Sequence, residues 1–104
     1  MTTFSEILAG LEPSDHIEKI ELLDSNGNLA GQIENKPGSQ GSVKVYQHLY
    51  KKYGSINVAA AQEGLTIYAE HTADAEANPG KHPNIDRLFA IIKHNSPLSV
   101  RIAQ

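Results

Sequence analysis

The sequence predicts an α+β fold in which a small antiparallel sheet of about three strands, a hairpin plus a C-terminal strand, packs against three to four helices. Three observations carry that expectation. Asn26-Gly27 stands between two segments of alternating apolar residues, apolar side chains recur at helical spacing from Val43 to Tyr53, and Leu98, Val100 and Ile102 alternate near the end of the chain. A period of two places side chains on the faces of a strand, whereas recurrence at three and four places them along one side of a helix.

The first element is a short helix ending near Leu11, with Phe4, Ile7, Leu8 and Leu11 as its apolar stripe. Thr2 or Thr3 can cap it, because a hydroxyl oxygen accepts from a first-turn amide, and Glu6 follows Thr3 at capping-box spacing. Pro13 and Ser14-Asp15 end it. His16 to Leu23 and Leu29 to Glu34 read as strands joined by Asp24-Ser25-Asn26-Gly27-Asn28, where Asn-Gly tolerates the positive φ of a tight hairpin. The polar loop 35–42 leads into a helix whose inner face is Val43, Tyr46, Leu49, Tyr50 and Tyr53, and Gly54 stops it.

From Asn57, the positions Val58, Ala61, Leu65, Tyr68, Ala69 and Thr72 predict a third helix, although Gly64 weakens it and 65–68 could also form a strand. Asn78-Pro79-Gly80-Lys81-His82-Pro83 is a loop whose last proline suits a first helical position, and Ile85, Leu88, Phe89 and Ile92 give the final helix its inner face. Asn95-Ser96-Pro97 breaks that helix ahead of the last strand.

Length and composition place all of this in one globular domain, 1–104, with an apolar fraction of 39% and a charged fraction of 20% that do not match disorder. The absence of cysteine removes disulfides, thiolate metal sites and thiol nucleophiles, and suits a reducing compartment. With neither a signal-peptide pattern nor a membrane-length apolar run, the expected setting is the cytoplasm. Charge is uneven: residues 1–34 carry seven acids and one lysine, residues 35–53 carry four lysines and no acid, and the remainder is close to neutral.

Three groups of residues could carry chemistry. In the loop Gly38-Ser39-Gln40-Gly41-Ser42, glycines allow backbone amides to approach a ligand, the following helix presents unpaired N–H groups, and Lys36 supplies a counter-charge. A phosphate or carboxylate is the matching ligand. The spacing is not that of a Walker loop, and the alternative is a turn capped by Ser39 or Ser42.

The second group is Glu70, His71, Asp74, Lys81, His82 and Asp86 around the last loop. If that loop folds back, His71, Asp74, His82 and Asp86 bring two imidazoles and two carboxylates together for a divalent metal, and His71, His82 and Asp86 equally suit acid–base catalysis, with Lys81 holding an anion. No metal motif is present. The alternative reading makes Glu70 and Asp74 solvated charges, His82 a cap and Asp86 a first-turn carboxylate.

The third group, Lys44, Gln47, His48, Lys51 and Lys52, lies on one helix face and reads as a solvated amphipathic face that could dock on Glu18, Glu21 or a partner. Lacking arginine and aromatic neighbours, it disfavours nucleic-acid binding. Tyr46, Tyr50, Tyr53 and Tyr68 read as core, with a pocket lining as the alternative.

The stretches Ile33-Glu34-Asn35-Lys36-Pro37-Gly38, Tyr68-Ala69-Glu70-His71-Thr72 and Asn78 to Leu88 resemble a family of short bacterial proteins catalogued as a domain of unknown function. The resemblance covers nearly the whole chain and implies no activity, cofactor or functional residue. Two classes of function follow from the residues themselves. One is a non-enzymatic module binding a protein or small anion, with homodimer formation through an exposed sheet edge left open. The other is a small enzyme acting on a phosphorylated or carboxylated metabolite, which requires His71 and His82 to share a cleft with a carboxylate.

Overall fold

The expected hairpin pairs Lys19–Leu23 (β1) with Leu29–Glu34 (β2), and the C-terminal strand Ser99–Ala103 (β3) joins the other side of β1. The computed structural model describes residues 3–104, so the alternative cap Thr2 lies outside the described residues. The sheet is antiparallel throughout, in the order β2-β1-β3. Ile20 pairs with Ile33 on one side and Ile102 on the other, and Leu22 pairs with Gly31 and Val100, which sets one apolar row across all three strands. Glu21 pairs with Arg101, whose Nε donates to its carboxylate at 2.8 Å on the opposite face. Alternation therefore sorts the sheet into a buried face and a polar one.

In the hairpin turn Gly27 takes a φ of 82°, and Asp24 Oδ1 accepts from the N–H groups of Asn26 and Asn28 at 2.9 and 3.0 Å. Among the described residues Asn26 has no positive φ, so the turn draws on the freedom of glycine alone. The register shifts between Leu22 and Leu23 to absorb the extra residue. β1 begins at Lys19, later than the expected His16, because residues 14–17 form a turn in which Ile17 N–H donates to Ser14 O.

Five helices accompany the sheet: Phe4–Ala9 (α1), Gln40–Tyr53 (α2), Val58–Ile67 (α3), Glu70–Ala77 (α4) and Pro83–His94 (α5). α2 packs on β1, β2 and α3, while α5 packs on α3. Together they bury Ile20, Leu22, Val43, Leu49, Ile56 and Leu88 completely. α1 rests on α2 and α3 and has no buried residue of its own. Its capping box is formed as expected, with Thr3 Oγ1 accepting from Glu6 N–H and the Glu6 carboxylate accepting from Thr3 N–H.

The single helix expected across 57–72 is two helices, and neither contains a strand at 65–68. The break is at Ala69, whose φ of 51° and ψ of -117° are incompatible with helix. Thr72 Oγ1 holds the corner by donating to Leu65 O at 2.5 Å. Apolar spacing runs through the break because Tyr68 and Ala75 are both buried, one at the end of α3 and the other within α4. Gly64, which weakened the helix in sequence, is buried inside α3.

Candidate functional site

Both loop-to-helix junctions singled out in sequence face the same cleft, of about 490 Å³. Gly38, Gln40, Gly41 and Ser42 at the start of α2 form one wall, and Lys81, His82, Pro83, Asn84 and Ile85 at the start of α5 form another. Phe4, Ser5 and Leu8 of α1 close a third side, with Tyr68 and His71 between them. The volume is in the range of small-molecule sites.

Gly41 explains how α1 comes so close. A Cβ there would lie 3.3 Å from both Leu8 and Phe4, so a residue without a side chain lets α1 seat on the first turn of α2. Phe4 stacks on Tyr68 with ring centroids 5.1 Å apart, and its N–H donates to Glu70 Oε1 at 2.8 Å. That N–H lowers the Glu70 pKa by stabilising the charged form. The aromatic stack and the hydrogen bond tie α1 to the corner between α3 and α4.

Helix ends leave donors unpaired. The N–H groups of Gly41 and Ser42 in α2, and of Asn84 in α5, have no acceptor among the described residues. Ser39 occupies the cap position of α2 without capping it, since its hydroxyl donates to the carbonyls of Glu34 and Lys36. Ser42 likewise caps nothing, and its Oγ accepts from Tyr68 O–H at 2.7 Å. Burial of the Tyr68 ring raises its hydroxyl pKa, so that hydroxyl is a fixed donor.

His82 stands at the cap position of α5, but its ring turns instead to Asp74 of α4, with Nε2 2.6 Å from Oδ2. Lys81 Nζ approaches the same oxygen at 3.0 Å. The His82 hydrogen bond and then the Lys81 hydrogen bond hold the Asp74 pKa down at about 2. His71 lies beside this group, its ring centroid 5.7 Å from that of His82 and 5.2 Å from that of Phe4, which meets it edge-on. Among the described residues the His71 ring nitrogens have no hydrogen-bond partner.

The remaining sequence candidates fall outside the cleft lining. Lys36 pairs with Glu34 at 3.0 Å, and Asp86 accepts from Gly80 N–H at 2.9 Å, bracing the loop that carries Lys81. Among the described residues no group of three or more histidines and carboxylates is placed to hold a metal ion. The lysine-bearing face of α2 is solvated at Lys51 and Lys52, as expected, but not at Gln47. Gln47 is buried and its Nε2 donates to Pro13 O at 3.2 Å, Lys51 pairs with Glu12, and His48 and Lys52 pair with Glu63. The acidic partners are thus Glu12 and Glu63, in place of Glu18 and Glu21.

Sequence reasoning did not place Phe4 or Asn84 at the site. A signal for Phe4 existed in Gly41, since glycine at a helix start marks close approach by another element. Among the described residues no helix is long and apolar enough to cross a membrane. No curated protein and no solved structure matches the chain. Residues 4–102, which include every residue lining the cleft, match the family model DUF2322, described as an uncharacterized protein conserved in bacteria, and the chain belongs to that family.

Proposed function

We propose that this protein is a binding module that holds a small molecule bearing a phosphate or carboxylate in the cleft between α1, α2 and α5. The observation that carries this reading is the convergence of two helix starts on one cleft, with the N–H groups of Gly41, Ser42 and Asn84 lacking acceptors among the described residues. Amides at helix starts carry partial positive charge and favour anions. Lys81 adds a cation at the same place, shared with Asp74, and Phe4, Leu8 and Ile85 supply apolar surface for the body of the ligand. The cysteine-free composition suits the cytoplasmic setting we propose for it.

Titration calorimetry with inorganic phosphate tests the reading, with thermal unfolding as a second readout, because a ligand that binds only the folded state raises its stability. The expected result is saturable heat and a raised Tm, both weakened in Lys81→Ala. Absence of both at millimolar phosphate sinks the idea.

The Asp74–His82 pair favours a second reading, in which the cleft also performs acid–base chemistry on its ligand. Two imidazoles and a carboxylate share this region, and a carboxylate that fixes an imidazole is a recurrent element of such sites.

A further inference from the structure

We propose that the cleft transfers a phosphoryl group through the imidazole of His71, with His82 donating the proton to the leaving group. This rests on the reading of the cleft as a phosphate site and goes beyond it, because binding alone requires no division of labour between the two histidines.

The two rings differ in what holds them. His71 is oriented by packing, edge-on against Phe4 and tilted against His82, and its nitrogens have no partner among the described residues. A neutral imidazole in that state has an in-plane lone pair available for attack. His82 is held through Nε2 by the Asp74 carboxylate, which supplies the counter-charge an imidazolium needs and leaves Nδ1–H without a partner among the described residues. The competing nucleophiles are poorer. Ser42 Oγ accepts from Tyr68 O–H, and among the described residues no imidazole or carboxylate is hydrogen-bonded to either Ser42 or Ser5 to activate it. Lys81 is engaged with Asp74.

In the first step a His71 nitrogen attacks phosphorus, the P–O bond to the alcohol breaks with its electron pair on oxygen, and that oxygen takes the proton of His82. The phosphoryl group is now bonded to His71. In the second step water attacks the same phosphorus, one of its protons passes to neutral His82, and the P–N bond breaks with its electron pair returning to the His71 ring. The net change is a phosphate monoester plus water giving an alcohol plus phosphate, with both histidines restored. The amides of Gly41, Ser42 and Asn84 are the donors for the phosphoryl oxygens, where charge is concentrated in such transfers.

The full chain is incubated with phosphoramidate, p-nitrophenyl phosphate and an alkyl phosphate, and followed by intact mass, product release and phosphate calorimetry. The expected result is an acid-labile adduct of one phosphoryl group, lost in His71→Asn. His82→Gln is expected to slow turnover of the alkyl phosphate by about 100-fold or more, the range for a lost proton donor, and to slow p-nitrophenyl phosphate much less because its leaving group needs no proton. Thermal unfolding of each variant separates these effects from misfolding. Phosphate binding without adduct or product from any donor overturns phosphoryl transfer and leaves the binding reading standing, whereas absence of phosphate binding as well overturns both. An adduct that persists in His71→Asn also overturns the assignment.

Discussion

Gly64 lies beneath Leu88 where α3 crosses α5, so closely that a Cβ on residue 64 would come within 2.7 Å of a Leu88 methyl and 3.1 Å of a Leu49 methyl. Both leucines are fully buried and have no solvent to swing into. Alanine would gain about 1 kcal/mol of helix propensity, but forcing carbon into a packed core costs about 1–3 kcal/mol. Gly64→Ala is therefore expected to lower the urea midpoint, by a net loss of about 1 kcal/mol. A raised midpoint would show that the leucines yield.

Ala69 gives the opposite expectation. A non-glycine residue at its φ of 51° and ψ of -117° carries strain, of order 1–3 kcal/mol. Ala69→Gly is expected to stabilise the fold by about 1 kcal/mol once the added freedom of the unfolded chain is deducted. Ala59→Gly, on the exposed side of α3, should destabilise by about as much and serves as the control in the same denaturation series.

Glu63 gathers Lys52 and His48 at 2.6 Å each and Tyr53 O–H at 2.8 Å. These groups, Lys52 foremost, hold its pKa down at about 2. A carboxyl lowered in the folded state contributes stability that is fully present above its unfolded pKa and disappears as pH falls through the folded one. Glu63→Gln is expected to cost about 1 kcal/mol at pH 7, since half-exposed Lys52 leaves the pair open to screening. The difference from wild type should vanish as the pH is lowered from about 5 to about 2. Denaturation midpoints across that window check both the sign and the range.

Tyr46 O–H donates to Asn84 O at 2.6 Å, joining the middle of α2 to the start of α5. Its complete burial pushes its own pKa up to about 12. Tyr46→Phe keeps the ring and removes this hydrogen bond between the helices, at an expected loss of about 1 kcal/mol. Denaturation midpoints of the variant and the wild type measure that loss.

Asp74 separates binding from chemistry. Asp74→Asn removes a negative charge from beside the cleft and frees Lys81, so phosphate affinity is expected to rise by about 3- to 10-fold. If His82 is the proton donor, turnover of alkyl phosphates falls in the same variant. Calorimetry and rate measurements on one preparation give both numbers, and a drop in affinity would mean that Asp74 chiefly holds Lys81 and His82 in place.

Most of the elements are legible from local chemistry alone. Gly27, Gly54 and Pro83 mark conformations that few other residues favour, and each lies at the boundary expected of it. Ala69 marks nothing of the kind. Its positive φ falls between buried Tyr68 and Ala75, which keep helical spacing across it, so a break there reads as continuous helix in sequence. The two junctions, 38–42 and 81–85, are visible one at a time through their glycines, serines and prolines. Their shared cleft is not, because it depends on how α2 and α5 pack against α3 and on where α1 comes to rest. The pairing of His82 with Asp74 needs that same docking, whereas their positions alone allow each to be a separate solvated charge.

The seating of α1 on Gly41 bears on how the protein should be prepared for every measurement above. Phe4 lines the cleft, and Thr3 just ahead of it completes the cap. A purification handle fused ahead of the first residue would be tethered within a few residues of Phe4 and, if rich in histidine, would introduce imidazoles that imitate the groups under test. The handle belongs after Gln104, beyond β3, and is removed before phosphoryl transfer is assayed, so that every adduct is the protein's own.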